Sequence, residues 1–498
     1  MGLPAVTGAR EPVWAAACVL ADEARIAVLA ETLADRPGAR LDPLAACDAI
    51  EAVGDRLGGR LTDSQYRVAQ GLLTGGHSLD LVVGVAGSGK TTTLSAVRAG
   101  FETARYTVVG TATSGQAAKT LADGAGMEAR TIASLMWRLD HGQLSLTDRH
   151  VVILDEAGMT ADVDLGRILG AVERAGAKMV VVGDDRQLDA VGPGGGLNAM
   201  LSRHPDHVWE LSDNLRQTDV TERVALSHLR DGKVPTAVAW YQDHHRIHAV
   251  RDGGRATAAI VNGWAHDMAA GRETLMLAYR RANVERLNQA ARQRWEAAGL
   301  LSGPELVAPG GRPYRAGDRI ITLAPGPHGA WVTSQPATVT AVDPTTQTLH
   351  AVTPDGARLR MGRDDIGADR LAHGYAITAH RAQGATVAAA HVLEDGGGRE
   401  LAYVAMSRAR TASHVYVIAP DTTQAADRLT WAWDQQRRQL WVTDRAPAPN
   451  VAELRAERDR LVAAIPPDMA DQLTYLRQEK ASVERDLADL STGAGRWA

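Results

Sequence analysis

The segment Gly84-Val-Ala-Gly-Ser-Gly-Lys90-Thr91 decides the fold, because it matches the pattern G-x-x-x-x-G-K-[ST] of a phosphate-binding loop. Its glycines allow backbone N–H groups to turn toward phosphate oxygens, and a helix that follows would present its positive end to the same anion. An apolar run, Leu79–Val85, precedes the loop and a helical pattern, Thr92–Ala99, follows it. A glycine-rich turn without a ligand is the alternative, but the complete motif in this context favours a nucleotide site in an α/β domain.

The loop also predicts which atoms hold the nucleotide. Lys90 is expected to reach the β- and γ-phosphates of ATP, and the Thr91 hydroxyl to ligate Mg²⁺. The other loop residues expected to contact the nucleotide are Gly84, Gly87, Ser88, Gly89 and Thr92.

Two later apolar runs end in polar residues. The run His150–Leu154 ends in Asp155, which can hold the magnesium shell, and Glu156, which can polarise water as a general base. A solvated acidic turn would look the same in isolation, but the order after the phosphate loop favours the chemical role. The run Val180–Leu188 indicates a second polar loop near the nucleotide.

Composition narrows the class of protein. A chain of 498 residues is too long for one core and predicts two or three domains. The formal net charge of −5 argues against a protein that coats duplex DNA, but it permits a narrow groove for a single strand. We find neither a secretory leader nor an apolar run of about 20 residues, so we expect a cytoplasmic protein without a membrane partner. Two cysteines, Cys18 and Cys47, supply neither a disulfide framework nor a zinc cluster.

Short apolar runs that alternate with helical patterns predict doubly wound parallel sheets. The expected units are an N-terminal helical region at 1–58, α/β domains at 59–212 and 213–445, and a C-terminal helical hairpin at 446–498. The runs are Leu81–Val85, Tyr106–Gly110, Val151–Leu154, Met179–Val182 and Val208–Leu211 in the first domain, and Thr274–Ala278, Ala389–Leu393 and Val415–Ile418 in the second. Closely spaced short strands at 312–370 predict a small antiparallel barrel inserted into the second domain.

Eight segments in fixed order, between about residues 61 and 420, resemble the motifs of superfamily 1 DNA helicases of the RecD-like branch. They resemble more closely the helicase part of conjugative relaxases of the TraI/TrwC (MobF) type. The segments are Leu61–Gln65, Thr111–Ala118, Thr131–Leu135, Asp155–Met159, Gly183–Gln187, Leu215–Gln217, His373–Thr386 and Tyr403–Arg410. The resemblance implies two RecA-like domains that enclose ATP and Mg²⁺, with an SH3-like barrel as the insertion.

The resemblance also assigns roles to residues. It implies that Gln65 reads adenine, that Gln187 senses the γ-phosphate, that Arg216 and Arg408 reach it from the second half, and that Gly384 lies at the nucleotide. A surface salt bridge is the alternative for Arg408. The expected contacts to DNA are Thr113, Ser134, Thr378 and His380, although His380 could instead be a buried, hydrogen-bonded histidine.

The sequence therefore predicts an ATP-dependent helicase or translocase on single-stranded DNA and DNA forks, and the resemblance implies movement 5′ to 3′. We expect a role in conjugative transfer or plasmid mobilisation, with a relaxase or another DNA-processing protein as partner. A RecD-like repair subunit and a DNA-dependent ATPase switch without unwinding are the alternatives. We expect no nicking activity, because about 60 residues precede the helicase motifs and His244, His245 and His248 lack the spacing of a metal-binding triad. The short segment Leu139–Ser145 leaves little room for a strand-separating pin.

Overall fold

The computed structural model describes residues 2–5 and 13–445. The described part of one compact unit contains the antiparallel strands β1 (Gly2–Ala5) and β2 (Val13–Ala16) and the helical turn Val442–Arg445. The other unit spans Cys18–Trp441. The predicted helical region at 1–58 is wrong at its beginning, where β2 pairs with β1 as an antiparallel strand. The hairpin predicted for 446–498 lies outside the described residues.

Three helices precede the phosphate-loop strand: α1 (Ala17–Asp35), α2 (Pro43–Arg56) and α3 (Asp63–Thr74). Helix α2 begins where the Asp42 side chain accepts the backbone N–H of Leu44. Helix α3 begins with a capping box, in which Thr62 and Gln65 each accept the other's backbone N–H. This cap fixes the direction of Gln65, which points to the phosphate loop.

The apolar runs of the first half form a six-stranded parallel sheet in the order β5-β4-β6-β7-β3-β8. Its strands are β3 (Leu79–Gly84), β4 (Thr107–Ala112), β5 (Glu128–Thr131), β6 (His150–Asp155), β7 (Lys178–Gly183) and β8 (Val208–Leu211). The connecting helices are α4 (Lys90–Thr103), α5 (Gly115–Ala125), α6 (Ile132–Asp140), α7 (Asp162–Ala175) and α8 (Gly196–Arg203). Because parallel strands end at one edge, the polar segments that follow β3, β6 and β7 meet there.

The second half forms a five-stranded parallel sheet in the order β18-β10-β19-β20-β9. Before the insertion come α9 (Val220–Arg230), α10 (Val234–Asp243), β9 (Ile247–Val250), α11 (Gly253–Ala269), β10 (Thr274–Ala278) and α12 (Arg281–Ala297). After the insertion the next strand of this sheet is β18 (Ala376–Thr378), and two residues separate it from the last inserted strand.

The insertion spans β11 (Ser302–Val307), β12 (Pro313–Ala316), β13 (Arg319–Thr322), β14 (Pro336–Asp343), β15 (Thr348–Val352), β16 (Arg358–Met361) and β17 (Leu371–His373). Five of these strands form an antiparallel sheet in the order β16-β15-β14-β13-β17, and β11 pairs with β12. The second parallel sheet then resumes with β18 (Ala376–Thr378), β19 (Val387–Leu393), α13 (Arg399–Met406), β20 (Ala409–Ile418) and α14 (Thr422–Asp434). The inserted strands therefore begin and end outside the predicted range 312–370.

After α14 the chain returns from the second sheet to the first. Arg438 Nη2 donates to Asn198 Oδ1 over 2.6 Å, and Gln439 Nε2 donates to the carbonyl of Ala190 over 2.9 Å. The buried indole of Trp441 donates to Asp162 Oδ2 over 2.8 Å. We call residues 435–441 the strap, because they fix the two sheets against each other. In the described part of the chain, no helix has both the length and the apolar character that a bilayer crossing requires.

Candidate nucleotide and nucleic-acid sites

The phosphate loop lies between β3 and α4, in a conformation that glycine permits. Gly87 and Gly89 have φ angles of +81° and +74°, which side chains rarely adopt. A Cβ on Gly84 would lie 2.7 Å from the Lys90 side chain, which crosses the loop and donates to the carbonyl of Gly84 over 3.0 Å. The Ser88 hydroxyl is buried without a hydrogen-bond partner in the described residues. These features fit a loop whose polar groups await an anion.

Gln65 lies directly against this loop. Its amide nitrogen donates to the carbonyl of Ser88 over 3.1 Å, and its amide oxygen accepts the N–H of Thr62. Both polar atoms therefore hold the loop to the start of α3. Thr91 and Thr92 lie in the first turn of α4, as their positions after the loop require.

The acidic pair ends β6 beside the loop. Burial, reinforced by the neighbouring charge of Glu156, raises the pKa of Asp155 to about 6, while Lys90 lowers it. Glu156 has a φ of +55°, an uncommon and strained conformation for a residue other than glycine. Asp155 Oδ1 accepts the N–H of Glu156 over 2.9 Å, so the turn fixes the carboxyl group of Asp155. A carboxylate and a threonine hydroxyl are oxygen donors of the kind that suits Mg²⁺, so Asp155 and Thr91 are the residues that would hold the ion.

Two arginines that follow the first sheet in the chain complete the pocket, one after β8 and one between α13 and β20. Arg408 is 2% exposed, and its Nε and Nη2 donate to Val404 O over 2.7 Å and Ser407 Oγ over 2.9 Å. Arg216 Nη1 donates to Ser407 O over 2.9 Å. A Cβ added to Gly87 would lie 2.6 Å from the Cβ of Arg216, so this residue packs directly on the phosphate loop. The structure thus brings both predicted arginines together at the phosphate loop.

Their charges have no carboxylate partner within 4 Å among the described residues. Burial, together with the neighbouring charge of Arg216, lowers the pKa of Arg408 to about 9. Burial likewise lowers the pKa of Arg216. With Lys90, the pocket therefore holds three cationic side chains that a magnesium-bound triphosphate would neutralise. The bound metal would supply charge neutralisation at the phosphates.

Two contacts that the motifs did not predict tie the second sheet to this pocket. The Tyr403 hydroxyl accepts the N–H of Ala86 in the phosphate loop over 3.0 Å and donates to Asp184 Oδ2 over 3.1 Å. Gln383 Nε2 donates to Glu156 Oε2 over 3.0 Å and to Gln187 Oε1 over 3.1 Å. Both residues lie inside quoted segments, but neither position in the sequence shows what the side chain contacts.

Gln187 follows β7, and its own amide nitrogen donates to Asp184 Oδ2 over 3.0 Å. Asp184 also pairs with Arg230 of α9 at 3.2 Å. The loop after β7 is therefore held from both sheets. Gly384, with a φ of +81°, lies in an exposed turn and lines a separate cavity of about 250 Å³, so the structure does not bring it to the phosphate loop.

A cavity of about 540 Å³ lies between the two sheets and the insertion. Thr113, Thr378 and His380 line it, whereas Ser134 does not. Ser134 lies in the first turn of α6, where its N–H is capped by Thr131. Burial lowers the pKa of His380, so its ring is a neutral hydrogen-bonding and stacking surface near neutral pH.

The same cavity has a basic wall. Arg280, Arg281 and Arg381 line it, and in the described residues no carboxylate lies within 4 Å of their guanidinium groups. Thr333 and Ser334 of the insertion also line it. Local charge in this cavity therefore differs in sign from the net charge of the chain, which suits a phosphate backbone.

The predicted histidine cluster is divided between elements. His244 ends α10 and stacks on Trp240 at 3.9 Å, whereas His248 lies on β9 and bonds to His414 over 3.0 Å. The interpretation of this segment as a loop that leads into a strand is confirmed.

The fold and the site define a P-loop NTPase in which two parallel sheets enclose the nucleotide. Residues 60–252 match the AAA domain family. The conjugal transfer protein TraA of Agrobacterium fabrum is 34% identical over 369 residues, which cover 72% of this chain and 32% of that protein. The ATP-dependent RecD2 DNA helicase of Deinococcus radiodurans is 30% identical over 192 residues, which cover 37% of this chain and 26% of that protein.

The chain is thus similar to conjugal transfer proteins and to a RecD2 helicase, and the resemblance found in its motifs is confirmed. It spans about a third of the length of the TraA proteins that it matches. A structure of Pif1 helicase reported for DNA unwinding at forked duplexes shares the fold, with a TM-score of 0.50, 18% identity and coverage of 81% of this chain and 98% of the other.

Proposed function

We propose that this chain is a magnesium- and ATP-dependent DNA helicase that translocates along single-stranded DNA. The observation that carries the proposal is that the same two sheets enclose both the cationic nucleotide pocket and the basic cavity. A change in the distance between the sheets at one site must therefore change the other.

The nucleotide pocket divides the work of hydrolysis. Lys90 and the loop N–H groups bind the phosphates, and Thr91 and Asp155 hold the metal. Glu156 takes the proton of the attacking water. These groups come from the first sheet and its loops.

Arg216, Arg408 and Gln187 act on the γ-phosphate. Arg408 is buried, so its charge is weakly screened and stabilises charge that develops in the transition state. Without an anion, the positive charges of the pocket repel one another, which favours opening of the pocket. With the triphosphate in place they are attracted to a common partner, and the sheets close.

The DNA strand occupies the cavity of about 540 Å³. Thr113 and Thr378 bind phosphates, His380 stacks or donates a hydrogen bond, and the three cavity arginines neutralise the backbone. Thr333 and Ser334 place the insertion, which is an SH3-like barrel in this proposal, where it guides the strand. The domain limits are those predicted from the sequence, with RecA-like domains at 59–212 and 213–445.

Movement is 5′ to 3′ and serves conjugative transfer in the cytoplasm, with a relaxase or another DNA-processing protein as partner. Support comes from TraA, whose name marks it as a conjugal transfer protein, and from the motif order. A relaxase would supply the nicked strand on which such a motor loads.

The test is a pair of forks that carry only a 5′ or only a 3′ single-stranded tail. We expect ATP-dependent strand separation on the 5′-tailed fork. Activity confined to the 3′-tailed fork would refute the polarity. Hydrolysis that single-stranded DNA fails to stimulate would refute the motor itself.

A second candidate is a DNA-dependent ATPase that binds a strand without separating duplexes. Helix α6 ends at Asp140 and β6 begins at His150, so the connection is short and contains neither helix nor strand. A pin would have to form within it. Stimulated hydrolysis with neither fork separated would select this candidate.

A further inference from the structure

The side-chain amide of Gln383 joins the two proposed sites. Its nitrogen donates to Glu156 Oε2 over 3.0 Å and to Gln187 Oε1 over 3.1 Å, so both of its donor hydrogens are committed to groups at the γ-phosphate position. Gln383 also lines the cavity of about 540 Å³, together with Glu156. No other hydrogen bond of a described residue joins Glu156 to the second sheet.

The contact restrains Glu156. A hydrogen bond to a carboxylate oxygen fixes its direction and occupies a lone pair that a water would need. The left-handed backbone of Glu156 leaves its side chain few alternative directions. Its reach toward a water at the phosphate loop therefore depends on whether Gln383 holds it.

The arrangement is also incomplete. Gln383 Oε1 is buried without a hydrogen-bond partner in the described part of the chain. A buried amide oxygen without a donor disfavours the state that contains it. A small shift that gives this oxygen a donor is therefore favourable and would release Glu156.

Gln383 belongs to a compact turn whose other face lines the DNA cavity. Ala382 N–H donates to Thr378 O over 3.0 Å, and Arg381 N–H donates to Thr378 Oγ1 over 3.3 Å. Arg381 Nη1 reaches Ser334 Oγ over 3.3 Å. Because these bonds make the turn one body, a phosphate that attracts Arg381 also displaces Gln383.

We propose that Gln383 is a positioning residue that restrains Glu156 in the DNA-free protein and releases it when a strand occupies the cavity. The inference rests on the proposed function and names the device by which DNA stimulates hydrolysis. Gln383 does not contact the reacting atoms. It sets the orientation of the base through one hydrogen bond.

The test compares ATP hydrolysis with and without oligo(dT) in the wild type and in two variants. Gln383→Met keeps the length of the side chain and removes both donors, and Gln383→Glu keeps size and polarity but cannot donate as an anion. The loss of one hydrogen bond to a charged group corresponds to about a tenfold change in rate. We expect the DNA-free kcat to rise about tenfold in both variants, with the KM for ATP unchanged.

The ratio of kcat with DNA to kcat without DNA should fall by the same factor. The kcat with DNA should not change, because Gln383 has already released Glu156 when a strand is bound. Gln289→Met, at an exposed glutamine of α12, serves as the control and should keep the wild-type ratio. A melting curve checks each variant, and the Glu variant decides the result if the Met variant unfolds early. Wild-type ratios in the variants, or an equal loss of kcat with and without DNA, would overturn the role of Gln383. A wild type without stimulation would instead refute the proposed function.

Discussion

Removal of the Arg408 guanidinium provides a direct test of the nucleotide pocket. The side chain is fully enclosed, and its hydrogen bonds to Val404 O and Ser407 Oγ hold it in one position. Arg408→Ala removes one positive charge from the pocket without changing the phosphate loop or the acidic pair. Hydrolysis should therefore fall while the binding groups of the first sheet remain.

The size of the effect follows from Coulomb's law. A unit charge about 4 Å from a phosphate oxygen contributes about 4 kcal/mol at an effective dielectric constant of about 20. Such a loss in the transition state corresponds to a decrease of roughly a thousandfold in kcat. This agrees with the range of about 10³ to 10⁵ for arginines that act on a transferred phosphoryl group.

The assay is steady-state hydrolysis with saturating oligo(dT) and ATP. The matched control is Arg410→Ala, because Arg410 lies two residues away on β20 and is exposed. We expect kcat of the Arg410 variant within a factor of about three of the wild type, as for a surface charge. A kcat of the Arg408 variant within tenfold of the wild type, or equal losses in both variants, would show that Arg408 does not act on the phosphate.

Three further predictions concern other parts of the chain. Lys90→Ala should abolish hydrolysis and leave oligo(dT) affinity largely intact, since Lys90 is absent from the DNA cavity; retained ATPase activity would contradict the loop assignment. Burial raises the pKa of Glu222 from 4.5 to about 7, so the folded state binds this proton more tightly than the unfolded state does. The free energy of unfolding should therefore be highest below pH 4.5 and decrease by about 3 kcal/mol as the pH rises through 7. Glu222→Gln should flatten this dependence in melting curves at pH 5 and pH 8, and an unchanged slope would rule out Glu222 as its source. Lys178→Met should lower the free energy of unfolding by about 3–5 kcal/mol, because it leaves the buried carboxylate of Asp80 without its cationic partner. As the control, Lys119→Met at a more exposed ion pair should cost less than about 1 kcal/mol. Equal losses in the two variants would contradict this reasoning.

The central strands of both sheets could be predicted from the sequence because they are buried on both faces. β6 and β7 are continuous apolar runs, and the predicted limits differ from the observed ones by one residue at each end. The edge strand β5, Glu-Ala-Arg-Thr, is half exposed and carries no apolar run, so it could not be distinguished from a loop. The strand β18 is three residues long, and its pairing with β10 depends on tertiary contact.

Residues of the candidate site could be predicted where a local motif fixes their geometry. Lys90 and Asp155 follow strands of one parallel sheet, so order in the chain implies proximity in space. Tyr403 and Gln383 reach the pocket because the second sheet lies against the first, and no spacing in the sequence encodes that contact. The unpaired arginines of the DNA cavity were missed for a similar reason, since only the absence of neighbouring carboxylates separates them from ordinary surface arginines.

The contacts between the two sheets are of two chemical kinds, and this difference determines how the chain can move. At the strap, Gln439 and Trp441 bind groups of the first sheet through hydrogen bonds that no nucleotide enters. At the pocket, Arg216 and Arg408 have no carboxylate partner among the described residues, so in the proposed function their contribution to closure changes sign when a triphosphate arrives. A joint that persists at one point and changes at another permits rotation about the first point. The cavity proposed to bind DNA lies between the same sheets, so the proposed function requires that each cycle of binding and hydrolysis alter its width while the strap keeps the sheets together.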